Sequence, residues 1–324
     1  MDYRKQIDYS SLSSYLDCPR EFFFKYILHL RSSISNLDLV FGSCWHYGME
    51  EAYNALQQDR EVDHQELTDI AVKAFNSMWK VEGEPHFNAE IAFPKSPARA
   101  ADMYSKFFAT QNYLPDDMEV LGVEAPVNIS LGTLGGKTLP NYIGKLDLAL
   151  GNDDELLVVD HKTAKFVNDI TFAGYESSYQ TDGYITAGSM YYNKLPSIRY
   201  SVALCQKTKI DFSAYDVRRP PAAIDRFISE LILHVNRIHA DLDLYEVESS
   251  GKSASNRNYI QQSFPRTSGY ACTKYFRKCA YYDICHMRNN AMMWKDRPPQ
   301  GYVIDEWLPE EVDAQRRKAM EEVA

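Results

Sequence analysis

The sequence lacks long apolar runs and a secretion signal. No stretch approaches the roughly 20 consecutive apolar residues of a membrane-spanning helix, and the N-terminal residues MDYRKQIDYS do not form a signal-peptide pattern. We therefore expect a cytoplasmic protein that has no contact with a membrane. Neither internal repeats nor a long low-complexity linker divides the chain, which favours one domain.

Cysteine and positive charge are both scarce. Six cysteines occur in 324 residues, and in a reducing compartment so few are metal ligands or buried side chains more often than disulfides. The 35 Lys and Arg face 45 Asp and Glu, giving a formal net charge of −10. This balance argues against a protein that coats nucleic acid through bulk positive charge. It leaves room for an enzyme that binds nucleic acid locally, since acids at a metal site add to the total.

What the chain does contain is a clear succession of helix and strand patterns, with 45% hydrophobic residues to build a core. Together these patterns predict an α/β protein. We expect Pro19 to interrupt the first helix, because proline removes a backbone donor and clashes with the preceding turn. The predicted helices cover 12–30, 42–58, 63–80, 97–113, 176–193 and 222–242, and the predicted strands cover 118–131, 141–151, 155–164 and 198–206.

Two aspartates lie on the hairpin formed by NYIGKLDLALG and ELLVVDHKTA. The residues Gly-Asn-Asp-Asp between these strands predict a turn centred between Asn152 and Asp153. In that register Asp147 lies opposite Val158 and diagonal to Asp160. Diagonal neighbours are about 7–8 Å apart, close enough for two carboxylates to share a divalent cation.

Lys162 is expected on the same face as these aspartates, because side chains alternate along a strand, whereas His161 points to the other face. Phosphodiester hydrolysis needs this combination. A carboxylate-bound Mg²⁺ or Mn²⁺ neutralises the phosphate and activates water, and a lysine stabilises the developing charge. The alternative is a chance Asp-x-Lys tripeptide.

Two helices offer further candidates at a spacing of four residues, which places both members of each pair on one helix face. His46 and Glu50 form the first pair, and imidazole suits Mn²⁺ better than Mg²⁺. Gln180 and Tyr184 form the second and can point toward the lysine or a substrate strand. The alternative for His46 is a helix histidine whose hydrogen bonds are satisfied within the fold, and the alternative for Gln180 and Tyr184 is an ordinary amphipathic helix.

The order of these motifs resembles that of the RecB-type branch of the PD-(D/E)XK nuclease superfamily, from about residue 10 to 286. The opening SSLSSYLDCPREFFFKY and the closing cysteines resemble the iron–sulfur members, which include nuclease domains of bacterial helicase–nucleases and CRISPR-associated RecB-like exonucleases. The long segment 55–118 and the wide gap between Cys272 and Cys279 depart from the common pattern. The matching motifs are His46, Asp147 in GKLD, Asp160-His161-Lys162-Thr163 and Gln180-x-x-x-Tyr184.

The resemblance implies a restriction-endonuclease-like α/β core, in which a mixed central sheet is flanked by helices, with helical insertions and an iron–sulfur staple between the terminal regions. We expect one nuclease domain over 1–295 and a partly helical tail over 296–324. Within the domain the resemblance implies a helical insert at about 55–118, a nuclease core at about 119–215, and a cysteine region at 265–290 joined to Cys18.

The resemblance also implies the roles of the site residues. It places Mn²⁺ or Mg²⁺ on four ligands and makes Lys162 catalytic together with the two aspartates. Gln180 and Tyr184 would contact DNA or steady the site, and Glu124 is a weaker candidate. The implied ligands are His46, Asp147, Asp160 and the backbone carbonyl of His161.

Three cysteines, Cys272, Cys279 and Cys285, are spaced C-x6-C-x5-C, and Cys18 is the natural fourth ligand. Four thiolates fit both a [4Fe–4S] cluster and structural zinc, and spacing does not separate the two. The resemblance favours the cluster. One alternative is that the three C-terminal cysteines lie in an aromatic-rich core without a metal, and another is that His286 replaces one ligand.

Other features are expected to be structural. We expect Cys44 and Cys205 to be small residues of the hydrophobic core. The glycine-rich residues 131–138 nearly spell a phosphate-binding loop, but they lack its first glycine and Pro140 follows them, so a turn is favoured. Aromatics such as Tyr104 and Phe107 would stack on bases or, more simply, fill the core.

Taken together, these features predict a metal-dependent deoxyribonuclease, expected to act as an exonuclease on single-stranded DNA or free ends. The chain shows no motor motif, so a helicase, recombination or CRISPR partner would be a separate protein. A rival interpretation is a non-catalytic DNA-binding or recombination scaffold, which would have no need of the lysine and both acids. A zinc-stabilised interaction module would not need the hairpin acids either.

Overall fold

A computed structural model describes residues 1–250, 262–267, 269–274, 277–286 and 294–306. The helices are α1 (Tyr9–Asp17), α2 (Pro19–Phe22), α3 (Leu37–Gln58), α4 (His64–Glu82), α5 (Ala89–Ala92), α6 (Pro97–Thr110), α7 (Asp169–Glu176), α8 (Tyr179–Tyr192), α9 (Ala222–Ser249) and α10 (Tyr282–His286). The strands are β1 (Gln6–Asp8), β2 (Leu30–Ser32), β3 (Glu119–Ser130), β4 (Thr133–Leu134), β5 (Lys137–Thr138), β6 (Asn141–Gly151), β7 (Leu156–Ala164), β8 (Ser197–Cys205), β9 (Ile210–Val217) and β10 (Tyr302–Ile304).

Prolines and polar caps set the helix ends. Pro19 occupies the first turn of α2, so the predicted first helix divides there as expected. The side chain of Asn36 accepts the backbone N–H of Asp38, which starts α3 earlier than predicted. Strands β6 and β7 match their predicted ranges closely, because both carry strong apolar patterns and the turn residues between them set their ends.

Elements β1, α7 and β9 fall outside the predictions. Strand β1 is only three residues long. Helix α7 buries no side chain, and β9 is mostly half-exposed, so neither carries a strong apolar pattern. Of the predicted tail, residues 307–324 lie outside the described residues, whereas Tyr302–Ile304 form a strand.

The chain divides by its internal contacts into two compact units. We call them the sheet unit, Ser35–Val127 with Gly144–Phe227, and the terminal unit, Met1–Ile34 with Asn128–Ile143 and the described part of Ile228–Pro309. The expectation of one domain over 1–295 stays a prediction. Among the described residues, no helix combines the length and apolarity that crossing a bilayer would demand.

The sheet unit is built on β6, β7, β8 and β9, hydrogen-bonded in that order. Strands β6 and β7 are antiparallel, β7 and β8 parallel, and β8 and β9 antiparallel, so the sheet is mixed. Because β7 and β8 run in the same direction, both end at the same edge of the sheet. The predicted mixed α/β architecture is confirmed.

The register of the β6–β7 hairpin corrects one prediction. Ala149, not Asp147, pairs with Val158, because residues 152–155 form the turn and its centre lies one residue later than predicted. A shift of two residues leaves every side chain on its predicted face. Continued by one step, this pairing places Asp147 directly opposite Asp160, closer than the predicted diagonal arrangement.

The two faces of the sheet pack against different helices. One face contributes β6, β7 and β8 side chains to an apolar core shared with α3, α4 and α6. Tyr104, Phe107 and Phe108 are buried in that core, which excludes the base-stacking alternative for them. The other face carries Asp160 and Tyr200. The Tyr200 hydroxyl lies 2.6 Å from the Thr181 hydroxyl, which belongs to α8. Helices therefore flank the sheet on both faces.

In the terminal unit, β1 pairs in parallel with the first residues of β6, and β10 pairs with β2. Strands β4 and β5 form a hairpin whose turn holds Gly135 and Gly136 at φ of 59° and 78°, which confirms the predicted glycine turn. Phe22 stacks on Phe264 at 5.8 Å between ring centroids. This contact holds the chain near Cys18 against the C-terminal segment.

Candidate active site

Three metal-ligand side chains converge in the sheet unit. His46 comes from α3, Asp147 from β6 and Asp160 from β7, and their ligand atoms all lie within 4.8 Å of one another. His46 Nδ1 is 3.1 Å from Asp147 Oδ2. The backbone N–H of His161 donates to the same oxygen at 3.1 Å. The structure thus brings together residues more than 100 positions apart.

Lys162 lies against the buried end of this group. Its Nζ is 2.9 Å from Asp160 Oδ1 and 2.7 Å from Asp160 Oδ2. It also donates to Gln180 Oε1 at 3.4 Å, and Gln180 Nε2 donates to the Tyr184 hydroxyl at 2.8 Å. The i, i+4 pair of α8 therefore points toward the lysine, one of its two predicted directions.

Burial and neighbouring charges shift the pKa values of these groups. Burial raises the pKa of Asp160 to about 7, with Lys162 acting in the opposite direction. Burial also disfavours ionisation of Asp147, but His46 and Lys162 outweigh it and hold the pKa of Asp147 below its usual range. Burial lowers the pKa of Lys162, yet the two aspartates outweigh it and leave that pKa raised, so the ammonium stays charged.

The ligand geometry fits a divalent cation. Neighbouring ligands of an octahedral ion, each bound at about 2.1 Å, lie about 3 Å apart, as the His46 and Asp147 atoms do at 3.1 Å. Asp160 is fully buried, and its Oδ2 accepts no well-aligned hydrogen bond from the described part of the chain, although Lys162 lies beside it. A buried oxygen with spare acceptor capacity is costly unless a cation completes it.

The His161 side chain lies on the other face of the sheet, as the alternation predicted. Its ring stacks on Tyr53 with centroids 5.6 Å apart, and neither ring nitrogen has a hydrogen-bond partner among the residues that the structure describes. Burial lowers the pKa of His161 to about 3, so the ring is neutral. The ligand role of its backbone carbonyl stays a prediction.

His46, Asp147 and Lys162 line a cleft of about 470 Å³, whereas Asp160 is fully buried beside Lys162. Glu50 lines the cleft on the same helix face as His46. Lys145 also lines the cleft, although it belongs to none of the sequence motifs. Residues two apart on a strand share a face, so alternation from Asp147 could have found this lysine.

Glu124 also lines the cleft and has an unusual backbone conformation for a non-glycine residue, with φ of 47°. Its carboxylate lies 3.7 Å from Lys145 Nζ. Burial, helped by Asp147 and Glu50, raises the pKa of Glu124 to about 7. Strained backbone of this kind concentrates at functional sites, so the weaker sequence candidate does lie at the site.

The four cysteines predicted as ligands line one cavity of the terminal unit, together with Arg20 and Arg266. Burial raises the pKa of Cys279 to about 12. Burial also raises the pKa of Cys285, and the two arginines oppose that rise. The backbone N–H of Thr267 lies 3.4 Å from Cys18 Sγ. The cysteines in the cavity are Cys18, Cys272, Cys279 and Cys285.

These sulfur atoms match neither metal form without movement. Tetrahedral zinc holds its sulfurs about 3.8 Å apart, whereas among the described residues no three cysteine sulfurs lie within 4.8 Å of one another. The cavity volume is about 20 Å³, which is smaller than a four-iron cluster. Cys44 and Cys205 are buried in the core of the sheet unit, as predicted.

A family model for the PD-(D/E)XK nuclease superfamily matches residues 6–286. Because the match covers most of the chain, this protein belongs to that superfamily, whose members are nucleases that use divalent metals. No curated protein matches the chain significantly.

Two solved structures share a distant likeness in fold. One is described as a "Putative exonuclease" from Eubacterium rectale, with 13% identity, 73% of this chain and 81% of that chain covered, and a TM-score of 0.47. The other is SSO0001, with 12% identity, 71% and 76% coverage, and a TM-score of 0.31. Likeness at this level bears on neither substrate nor mechanism.

Proposed function

We propose that this protein is a Mn²⁺- or Mg²⁺-dependent deoxyribonuclease of the RecB-type branch, acting as an exonuclease on single-stranded DNA or free ends. The observation that carries the proposal is the convergence of His46, Asp147 and Asp160 beside an ion-paired Lys162 in an open cleft. Such an enzyme would serve recombination, repair, replication or CRISPR-type processing, with any helicase or CRISPR partner supplied by another chain.

Different residues of the site would bind the cation and stabilise the charge on the phosphate. His46, Asp147 and Asp160 would hold the cation, and the His161 carbonyl would complete the set. When bound, the cation supplies charge neutralisation at the phosphate and an acidified water. Lys162, held by Asp160 and Gln180, presents a fixed ammonium to the charge that develops on the phosphate oxygens.

Tyr184 has a supporting role in this arrangement. Its hydroxyl accepts a hydrogen bond from Gln180, which fixes the amide so that its oxygen faces the lysine. Tyr184 therefore acts on the reaction by positioning Gln180 and, through it, Lys162. The imidazole ligand favours Mn²⁺ over Mg²⁺, because nitrogen binds transition metals more strongly.

Metal affinity is expected to depend on pH. Asp160 must lose its proton to bind a cation, and its pKa is raised to about 7. The Asp160 proton by itself should therefore lower the apparent Mn²⁺ affinity by up to about tenfold per pH unit below that value and have little effect above it. His46, whose pKa is also raised, acts in the same direction.

Titration calorimetry with Mn²⁺ between about pH 5.5 and 8.5 measures this dependence. Asp160→Asn is the control, since it should bind Mn²⁺ weakly and lose the part of the dependence that Asp160 contributes. An affinity that stays constant from pH 5.5 to 7 would contradict a role for Asp160 as ligand.

We also propose that the four cysteines bind a [4Fe–4S] cluster, with zinc as the alternative. Support comes from their presence around one cavity, the N–H beside Cys18 Sγ, and two arginines that offset thiolate charge. Such a cluster would join the segment around Cys18 to the C-terminal cysteines and stabilise the terminal unit.

Cleavage of end-labelled oligonucleotides tests the proposed activity. Anaerobically purified protein should shorten single-stranded DNA from an end when Mn²⁺ is present and leave it intact in a chelator. Single-stranded RNA, duplex DNA and circular single-stranded DNA distinguish the sugar, the strand state and the need for an end. Tight binding of single-stranded DNA without cleavage would favour the scaffold interpretation instead.

A further inference from the structure

We infer that the turn between β8 and β9 is a binding surface for the phosphate backbone of a single-stranded substrate leaving the catalytic cleft. We call it the basic turn and define it by the cations that surround residues 206–209. This inference rests on the proposed function, because it concerns how that site holds its substrate strand. The cations are Arg99, Lys106, Lys165, Lys207 and Lys209.

Hydrogen bonds to the turn and its flanks bring these cations together from three segments of the sheet unit: α6, the residues after β7 and the turn itself. Arg99 Nη2 donates to the carbonyl of Gln206 at 2.6 Å, and Lys106 Nζ donates to the carbonyl of Ile210 at 2.7 Å. Gln206 Nε2 donates to the carbonyl of Lys165 at 3.0 Å. The packing thus concentrates positive charge on one part of a protein with a net charge of −10.

Few acids neutralise this surface. Asp211 pairs with Lys209 at 2.5 Å, and Asp102 lies on α6 between the two cations of that helix. Lys165 and Lys207 are exposed, and neither pairs with a carboxylate anywhere in the part of the chain that the structure describes. Two free ammonium groups and three anchored cations suit a polyanion better than a single small anion.

The basic turn continues from the cleft. Lys162 pairs with Val202 across the parallel strands β7 and β8, and the turn begins four residues later, about 13 Å farther at ~3.3 Å per residue. Thr163 lines the cleft, and Lys165 follows it by two residues. A strand whose phosphate lies at Lys162 would therefore reach the basic turn after about 13 Å along the sheet edge.

Two exposed aromatic side chains lie beside the same surface. Phe166 is 64% exposed and follows Lys165. Phe93 is 55% exposed, and the carbonyl of its neighbour Pro94 accepts from Cys205 Sγ, at the end of β8. Exposed aromatics among cations are the usual means of holding unpaired bases. Duplex DNA would not offer its base faces to them, so the surface favours a single strand.

Binding of a fluorescent single-stranded oligonucleotide of about 20 nucleotides, followed by anisotropy in a chelator, tests the inference. The variant Lys165→Ala/Lys207→Ala/Lys209→Ala should weaken binding by at least about tenfold. It should also lower the slope of log affinity against log salt by about 2, at ~0.7 for each lost phosphate contact. Lys5→Ala/Lys73→Ala/Lys137→Ala removes equal charge from exposed lysines elsewhere and should leave both quantities nearly unchanged.

Phe166→Ala tests the aromatic part separately. It should weaken binding of the single strand by about fivefold or more, whereas Phe166→Trp should retain it, because both rings can stack on a base. Neither variant should alter Mn²⁺-dependent hydrolysis of bis(p-nitrophenyl) phosphate, which is too small to reach the basic turn.

The outcomes separate the two proposals. Equal loss of affinity in both lysine triple variants, or no loss in the first, would overturn the basic turn while leaving the nuclease proposal in place. If wild-type protein cleaves no substrate yet binds the oligonucleotide through the three lysines, the nuclease proposal fails and the basic turn stands.

Discussion

Replacing Lys162 by alanine should reduce Mn²⁺-dependent DNA cleavage by about 10²- to 10³-fold. The ammonium is the fixed positive charge beside the cation ligands, and loss of one preorganised charge-stabilising group lowers turnover by about two to three orders of magnitude. Single-turnover cleavage of end-labelled single-stranded DNA measures the loss. Cleavage at the wild-type rate would remove Lys162 from the mechanism and with it the assignment of this site.

The same substitution should also affect stability when no metal is bound. Asp160 is fully buried and would lose the Lys162 ammonium group as its ion-pair partner. Removing one partner of a buried ion pair destabilises a protein by about 3–5 kcal/mol. We therefore expect a lower melting temperature for Lys162→Ala in a chelator and partial recovery with Mn²⁺. Asp160→Asn/Lys162→Met removes both charges and is the control, since it should melt closer to the wild type while remaining inactive.

Replacing Cys279 by alanine should abolish the broad visible absorbance expected of a [4Fe–4S] cluster and lower the yield of soluble protein. Cys279 lies in the cavity with the other three cysteines, and a cluster that loses one of four thiolates is poorly retained. Absorbance spectra and iron analysis of anaerobically purified protein measure this effect.

Cys205→Ala is the matched control for that experiment. Cys205 is buried in the core of the sheet unit and outside the cysteine cavity, so its variant should keep the wild-type spectrum. Colourless wild-type protein containing one zinc ion per chain would replace the cluster by the zinc alternative. Protein with neither metal, and with an intact fold, would leave the four cysteines as core residues.

The sequence predicted the hairpin at the site almost to its ends. Strand β7 runs from Leu156 to Ala164 against a predicted 155–164, because a continuous apolar run that follows turn residues is a local signal carried by neighbouring residues. The alternation of side-chain directions along each strand put Asp147, Asp160 and Lys162 on one face. That conclusion survived the error in register, since a shift of two residues preserves the face.

Tertiary structure determined the distances between residues that lie far apart in the chain, which no local sequence pattern predicts. The approach of His46 to Asp147 depends on how α3 packs beside the sheet, and the grouping of Arg99 and Lys165 at the basic turn depends on hydrogen bonds to Gln206. The conformation of Glu124 depends likewise on its surroundings. Side-chain alternation determines which way a residue points along its own strand. Distances between residues far apart in the chain are set by the packing of whole elements, and short sequence windows contain no information about that packing.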